Sequence, residues 1–450
     1  MTETTEINVG EEIGSAPLGP YHYFLAFLVS LIVFFEGYDT FNASYVIHYV
    51  MQPWHLLPGQ AGLLVSSGII GFTVSAMLQG KLSDRIGRRP TLLLALWITT
   101  IFSFATAVLA NSFPTFLLCR FATGLGLGVL LPVGVTYMNE FSPRPLKSIF
   151  TTWGWGLGFS LGGVAASAVG VFLTPKLGWQ SLYYVASLSV VLAVACHWCL
   201  PESPQFKALR GDNAETGLIL ARLNPSRSAR YLSKDAVFVL PEPSTQKASL
   251  SLLFSPRYRR ITLAVWGAAF FVLFAVYGLT GWVPTAMIQR GESFSASFGF
   301  GAVILAMNFI GTLACSWFID RQGMGRSALM LWWIGGALAA GVLAFANGHM
   351  LNLVSMVLSG FFILGGQGGL NNLTAMWFET EVRGTAVGMM LGVGRMGGVI
   401  GPYATGFLQQ LHPGSSILFL AIGTASLIGA LCIGFVGTAP VAKPATTVDL

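Results

Sequence analysis

Charge is what this chain has least of. Charged residues make up 9% of its 450 positions, against about 25% in an average soluble domain. So few charges cannot build a surface for water, and most of the surface must face lipid. Cysteine and histidine are sparse too, at five and six. Cys119, Cys196, Cys199, Cys315 and Cys432 lie inside apolar runs and read as small buried hydrophobes. The histidines never cluster, so neither a metal site nor a cofactor is expected. An enzyme would need a nucleophile–base pair or a metal cluster, and with no histidine cluster at ligand spacing an enzyme is not expected. A secretory leader is missing as well. Residues 1–20 are polar and hold four acids, the pattern of a cytoplasmic tail.

What the chain does have is apolar length. Apolar residues make up 54%, and a membrane span needs about 20 in succession. Twelve runs qualify, at 21–50, 60–82, 91–111, 114–139, 149–173, 180–200, 259–289, 295–319, 326–347, 350–377, 383–410 and 414–437. The expected fold is therefore an all-α membrane protein. Its twelve transmembrane helices form two pseudo-symmetric six-helix bundles, 21–200 and 259–437. A cytoplasmic N-terminal tail (1–20), a polar cytoplasmic loop (201–258) and a C-terminal tail (438–450) complete the chain. Of 24 Lys and Arg, twenty fall in loops on one side and two, Lys176 and Arg290, on the other. Positive loops stay in the cytoplasm, so both termini are expected there. The net charge of +6 then reflects topology and needs no nucleic acid. In the fifth run Gly154, Gly158, Gly162, Ala166 and Gly170 recur every fourth residue, a ridge on which another helix can pack closely.

A knot of charge interrupts the apolar runs at Gly80–Arg89, with Lys81, Asp84, Arg85, Arg88 and Arg89. Its Asp-Arg-x-Gly core returns about half a chain later at Asp320–Arg321–Gln322–Gly323, followed by Arg326. Such repetition indicates two similar halves. Asp84 is expected to accept from backbone N–H groups at a helix terminus, and the arginines to reach acids or carbonyls nearby. Glu140 and Arg144 stand at the next inner loop as a matching charge pair. Glu379, Glu381 and Arg383 echo them in the second half. Asp84, Arg85, Arg88, Arg89, Glu140, Arg144, Asp320, Arg321 and Arg326 form a candidate conformational latch, or else only set the topology.

Four ionisable residues stand out deep within spans, where each costs about 2.5–3.5 kcal/mol on insertion scales. They are Glu36, Asp39, Arg120 and Arg395. Glu36 and Asp39 share a helix face that Asn42 extends. Two carboxylates so close resist joint ionisation, which suits a proton-coupling site; the alternative is an acid paired with a neighbouring Arg. Arg120 either neutralises Asp39, meets an anionic substrate or ties the carbonyls of the first helix. Arg395 lies among Gly388, Gly392, Gly394, Gly397, Gly398 and Pro402, either as a bidentate carboxylate clamp or as an internal pair. Gln367 lies within the glycine run Gly365–Gly369 and Asn371 just after it, and both bond either substrate or a neighbouring helix. Tyr38, Phe41, Trp153, Trp155, Tyr277, Trp282 and Trp377 line an aromatic cavity or pack the core.

The Gly80–Arg89 and Asp320–Arg326 stretches resemble the paired signatures of the major facilitator superfamily. Arg120 with Gly124, Gly126 and Gly128 is similar to its fourth-helix motif, and Pro201–Glu202–Ser203–Pro204 to the end of its sixth helix. Within that superfamily, Glu36–Gly37–Tyr38–Asp39, Arg383–Gly384–Thr385–Ala386 and Gly392–Val393–Gly394–Arg395 resemble the aromatic acid:proton symporters. The resemblance implies a secondary active transporter that imports an organic, aromatic carboxylate with protons by alternating access. It also implies that Asp39 and Arg395 matter for transport. Glu36 stands where many members have Asp, and Thr40–Ser44 departs from the small and aliphatic residues that usually follow. Diacids, sugar acids and proton-coupled efflux of lipophilic compounds therefore stay open. The partners expected are a small organic anion, protons and the lipid bilayer, for a monomer in a bacterial inner membrane.

Overall fold

The computed structural model describes residues 5–144, 156–233, 235–240, 250–322, 325–345, 348–412 and 414–436. Lipid offers the backbone no hydrogen bonds, so a spanning segment must satisfy its own, and the apolar runs fold as helices. The first four spans are α2 (Pro20–Val50), α3 (Pro58–Ile86), α4 (Arg88–Leu109) and α5 (Phe113–Phe141), after a short strand β1 (Thr5–Asn8) and helix α1 (Val9–Ser15). Next come α6 (Gly158–Phe172), α7 (Gln180–Ser187) and α8 (Ser189–Cys199), the last two forming one span. The polar middle folds as α9 (Pro204–Leu209), α10 (Asn213–Leu223), α11 (Ser228–Tyr231) and β2 (Ala236–Val239).

The second half holds α12 (Arg259–Gln289), α13 (Phe294–Gln322), α14 (Gly325–Phe345), α15 (His349–Ser359), α16 (Gly365–Trp377), α17 (Thr380–Leu411) and α18 (Ser415–Gly434). A π-helical turn, Gly360–Leu364, joins α15 to α16 in one span. Among the described residues ten helices are long and apolar enough to cross a membrane. The fifth expected span appears as the shorter apolar α6, with Gly154 outside the described residues. The eleventh is α17, 32 residues long.

The chain packs as two compact units. The first comprises Met1–Thr40, Ile70–Gly163 and Gln180–Thr245. Its core runs from Ile32 and Val33 of α2 through Leu92 and Leu96 of α4 to Leu127 and Leu130 of α5. The glycine ridge of α6 packs as expected: a Cβ on Gly162 would strike the Phe34 carbonyl, and one on Gly37 the Phe159 carbonyl. The N-terminal segment is anchored within this unit. β1 pairs in parallel with β2, Thr5 opposite Ala236 and Asn8 opposite Val239. Ile7, Val9 and Ile13 are buried with Ile219, Leu220, Leu223 and Phe238. Glu12 accepts from Arg227 Nη1 at 2.7 Å, Arg230 Nη1 at 3.3 Å and the Tyr231 hydroxyl at 2.5 Å. Burial pushes its carboxyl up, but the Tyr231 and Arg227 hydrogen bonds and the two guanidinium charges outweigh that and hold it below its ordinary value.

The second unit comprises Phe41–Ile69, Val164–Trp179 and Gln246–Leu450. The far ends of α2, α3 and α6 therefore pack with the later helices. Ser66 Oγ donates to the Val399 carbonyl at 2.7 Å, and Ser167 Oγ to that of Phe298 at 2.6 Å. Tyr45, Tyr49, Phe294 and Phe298 form a ring cluster beside them, with centroids 4.3 to 6.4 Å apart. Trp282 is fully buried and donates from Nε1 to the Pro402 carbonyl at 2.9 Å. Trp282, Trp377 and Phe41 are thus core residues. Cys199 is exposed, contrary to the expectation of a buried thiol, because it ends α8 at the edge of the polar segment.

Candidate functional site

Asp39 lies on α2 with its side chain 1% exposed. Arg120 Nη1 donates to Asp39 Oδ1 at 2.5 Å, and Arg120 Nη2 to the Asp39 carbonyl at 3.0 Å. The guanidinium therefore both neutralises the acid and ties the first helix, which sequence alone left as alternatives. Ser103 of α4 donates its hydroxyl to Asp39 Oδ2. Tyr183 of α7 closes the other side, its ring centroid 5.6 Å from Arg120 Cζ. A charge pair this deep persists only with both partners present and its oxygens bonded. Glu36 is equally buried.

Asn42, one turn further along α2, is fully buried, and neither polar atom of its amide has a hydrogen-bond partner among the described residues. Leaving both atoms of a buried amide unsatisfied is costly. Tyr38 is different. Its hydroxyl donates to the Leu182 carbonyl at 3.1 Å, which fastens α2 to α7.

In the second unit Arg395 of α17 is half-buried and donates from Nη1 to the Tyr277 hydroxyl of α12 at 2.7 Å. Its Cζ also lies 5.9 Å from the Tyr277 ring centroid. The glycines around it divide by role. Gly394, Gly397 and Gly398 let α12 approach, and a Cβ on Gly398 would strike the Tyr277 ring. Gly388 and Gly392, on the Arg395 face, have nothing within 4 Å of an added Cβ. Open space therefore lies along one face of α17 next to the guanidinium. Gln367 donates to Asn371 Oδ1 at 3.3 Å within α16. Cavities of about 280 and 250 Å³ open elsewhere, beside Arg89 and Arg222 and beside Arg144 and Gln205, and neither is lined by Asp39 or Arg395.

The charged knot departs from expectation at its acids. The acid at the α4 N-terminus is Glu202, not Asp84. Glu202 Oε1 accepts from the backbone N–H groups of Arg88 at 3.0 Å, Arg89 at 3.1 Å and Ser203 at 2.8 Å. A carboxylate at a helix N-terminus meets unsatisfied N–H groups and the positive end of the helix dipole. Gly87 makes this possible: its φ is +104°, and a Cβ there would collide with Glu202 Oε2. Asp84, on the last turn of α3, pairs instead with Arg88 Nη1 at 3.2 Å and is largely exposed.

Arg88 Nε also pairs with Glu140 Oε1 at 3.1 Å, so Glu140 does not match Arg144. Arg144 lies past the end of α5 with its stem against Gly14. Arg85 contributes its carbonyl, which accepts from Arg210 Nη2 at 2.6 Å. Phe206 sits under both Arg88 and Arg210, 5.5 and 5.2 Å from their Cζ atoms. Arg89 Nη2 donates to the His197 carbonyl at 2.5 Å. In the second half Glu379 pairs with Arg257 at 2.5 Å, and Arg383 Nε donates to the Phe378 carbonyl at 3.3 Å. Arg326 opens α14, half-buried. The side chains of Asp320 and Arg321 lie outside the described residues.

Among the described residues no group of three or more His, Cys, Asp or Glu gathers as a metal site. Sequence reasoning missed Ser103 and Glu202 as site residues. Ser103 carries no signal beyond being a hydroxyl in a span. Glu202 had one: an acid just before Ser203–Pro204, where one helix ends and another is capped.

Residues 29–370 match the Major Facilitator Superfamily. The chain is similar to the gallate transporter of Pseudomonas putida, 31% identical over 448 residues and 98% of each chain. It is similar to the 4-hydroxybenzoate transporter PcaK of Pseudomonas aeruginosa, 33% identical over 88% of each, and to the niacin transporter NiaP of Acinetobacter baylyi, 29% identical over 97% of this chain and 99% of the other. In fold it is similar to the inward open xylose transporter XylE from E. coli, with a TM-score of 0.73, 17% identity and coverage of 94% and 97%. Nearly the whole chain is thus shared with membrane transporters and none of these relatives is an enzyme. The chain belongs to the Major Facilitator Superfamily.

Proposed function

We propose that the protein imports an aromatic carboxylate together with protons, by alternating access. The observation that carries this is the Asp39 carboxylate, 1% exposed and bonded by Arg120 and Ser103. An acid kept at bilayer depth at this cost, with a cation poised to neutralise it, suits a residue that gains and loses a proton. Arg395 holds the substrate carboxylate in the open space along α17, and the Tyr277 hydroxyl orients the guanidinium. Asn42 offers a buried donor and acceptor to a polar group of the substrate or to a bound water. The names of the relatives, carriers of gallate, 4-hydroxybenzoate and niacin, support a ring carboxylate as substrate.

Protonation of Asp39 removes a charge and so lowers the desolvation cost of sealing the site around the substrate. The knot of Asp84, Arg85, Arg88, Arg89, Glu140 and Glu202 serves as the latch that holds helix ends together in one state and frees them in another. The bacterial relatives support a bacterial inner membrane location, and the bias of Lys and Arg toward the loops of one side supports both termini in the cytoplasm. Uptake of labelled 4-hydroxybenzoate into proteoliposomes tests the proposal: it should rise with an inward proton gradient, and uptake indifferent to that gradient would remove the proton from the scheme.

A further inference from the structure

We infer that Ser103 is a positioning residue that sets the pH at which Asp39 takes its proton, and that the proton lands on Asp39 Oδ2. The inference rests on the reading of Asp39 as the proton carrier. Hydroxyls inside spanning helices usually bond back to their own helix. Thr106 of the same α4 does so, donating to the Phe102 carbonyl, as do Ser30 in α2 and Thr123 in α5. Ser103 does not. It is fully buried and spends its donor across the interface, on Asp39 Oδ2.

The two carboxylate oxygens therefore have different partners. Oδ1 faces Arg120, whose guanidinium has only donors. A proton placed on Oδ1 would meet another N–H and force the arginine away. Oδ2 faces a hydroxyl, which has one proton and two lone pairs and can rotate from donor to acceptor. When Asp39 is ionised, Ser103 donates to it. When Asp39 is protonated on Oδ2, the acid donates to Ser103 Oγ. The other ionisable groups around the carboxylate are Glu36 on its own helix, Arg120 and Cys119 on α5, and Tyr183 on α7. Among these neighbours Ser103 is bonded to Oδ2 and able to reverse its hydrogen bond without a change of charge.

The test is the external pH of half-maximal 4-hydroxybenzoate uptake in proteoliposomes. Ser103→Ala removes both of these hydrogen bonds, of which the one given to the ionised acid is the stronger. The midpoint should move up by roughly one pH unit, given the strength of a hydrogen bond to a charged group. Ser103→Thr keeps the hydroxyl and should hold the wild-type midpoint. Ser103→Cys, a weak donor of similar size, should move it up by less than Ala, and it serves if the Ala variant does not fold. A midpoint unmoved by Ala and Cys, or moved as far by Thr as by Ala, overturns the inference. Asp39→Asn separates the two layers. If it still accumulates substrate against the gradient, the proton-carrier reading fails. If it does not, and Ser103→Ala leaves the midpoint in place, only the role of Ser103 fails.

Discussion

Tyr277 and Arg395 hold each other across the α12–α17 interface, through a 2.7 Å hydrogen bond and a ring 5.9 Å from the guanidinium carbon. The tyrosine can lie there because position 398 has no side chain. The phenol thus fixes the direction in which the guanidinium fork points. Tyr277→Phe keeps the ring and loses the hydroxyl. A hydrogen bond to a charged group is worth about 1.5–3 kcal/mol, so a rise of roughly ten- to a hundredfold in the KM for 4-hydroxybenzoate is expected. Initial-rate uptake at saturating proton gradient measures it. Arg395→Lys should lose most uptake, because a point charge cannot make the two parallel bonds.

The Asp39–Arg120 pair predicts a non-additive stability pattern. Breaking a buried pair on one side leaves an uncompensated charge and costs about 3–5 kcal/mol. Arg120→Met alone should lower the unfolding temperature of the purified protein sharply. Adding Asp39→Asn to it should recover much of the loss, since no bare charge remains. Thermal unfolding of the wild type and the two variants in detergent decides the point, and equal losses in single and double variants would contradict it.

Gly87 and Glu202 make a paired prediction at the α4 N-terminus. Gly87→Ala meets both a φ of +104° and the Glu202 carboxylate. Strain of that kind costs about 1–3 kcal/mol before any collision is counted. Glu202→Gln keeps an acceptor and loses only the charge facing the helix terminus, about 0.3–1 kcal/mol. The alanine variant should therefore be the less stable, by thermal unfolding, and its uptake should fall with it.

Glu12 gives a pH dependence of known sign. Its carboxyl is held below the ordinary value by Tyr231 and by Arg227 and Arg230, against the opposing effect of burial. A depressed carboxyl contributes stability above its unfolded value, and that contribution is lost as pH falls through the folded value. The anchorage of residues 5–15 should thus be intact at neutral pH and loosen in acid, below the ordinary carboxylate range. Hydrogen exchange of the 5–15 amides against pH measures this. Glu12→Gln should give the loosened pattern already at neutral pH.

The spans were legible because length and apolarity are properties of a continuous stretch, and lipid permits few alternatives to a helix. Asp39, Arg120 and Arg395 were legible for a related reason: a charge inside such a stretch is expensive and stands out. Who bonds whom was not. Asp39 meets Arg120 from 81 residues away and Ser103 from 64, and nothing in the spacing selects those pairs. The same applies to Glu202, which reaches α4 from 114 residues along and takes the place expected for Asp84. The N-terminal segment read as a tail because its strand is only four residues long and its partner lies in β2, beyond the sixth span.

The central claim is that Asp39 couples a proton to the movement of an aromatic carboxylate. The most direct measurement is accumulation of labelled 4-hydroxybenzoate in proteoliposomes under an inward proton gradient, for the wild-type protein and Asp39→Asn, with counterflow in the absence of a gradient run beside it. The account predicts gradient-driven accumulation in the wild type and none in the variant, with counterflow retained in both. Undiminished accumulation by Asp39→Asn would contradict it.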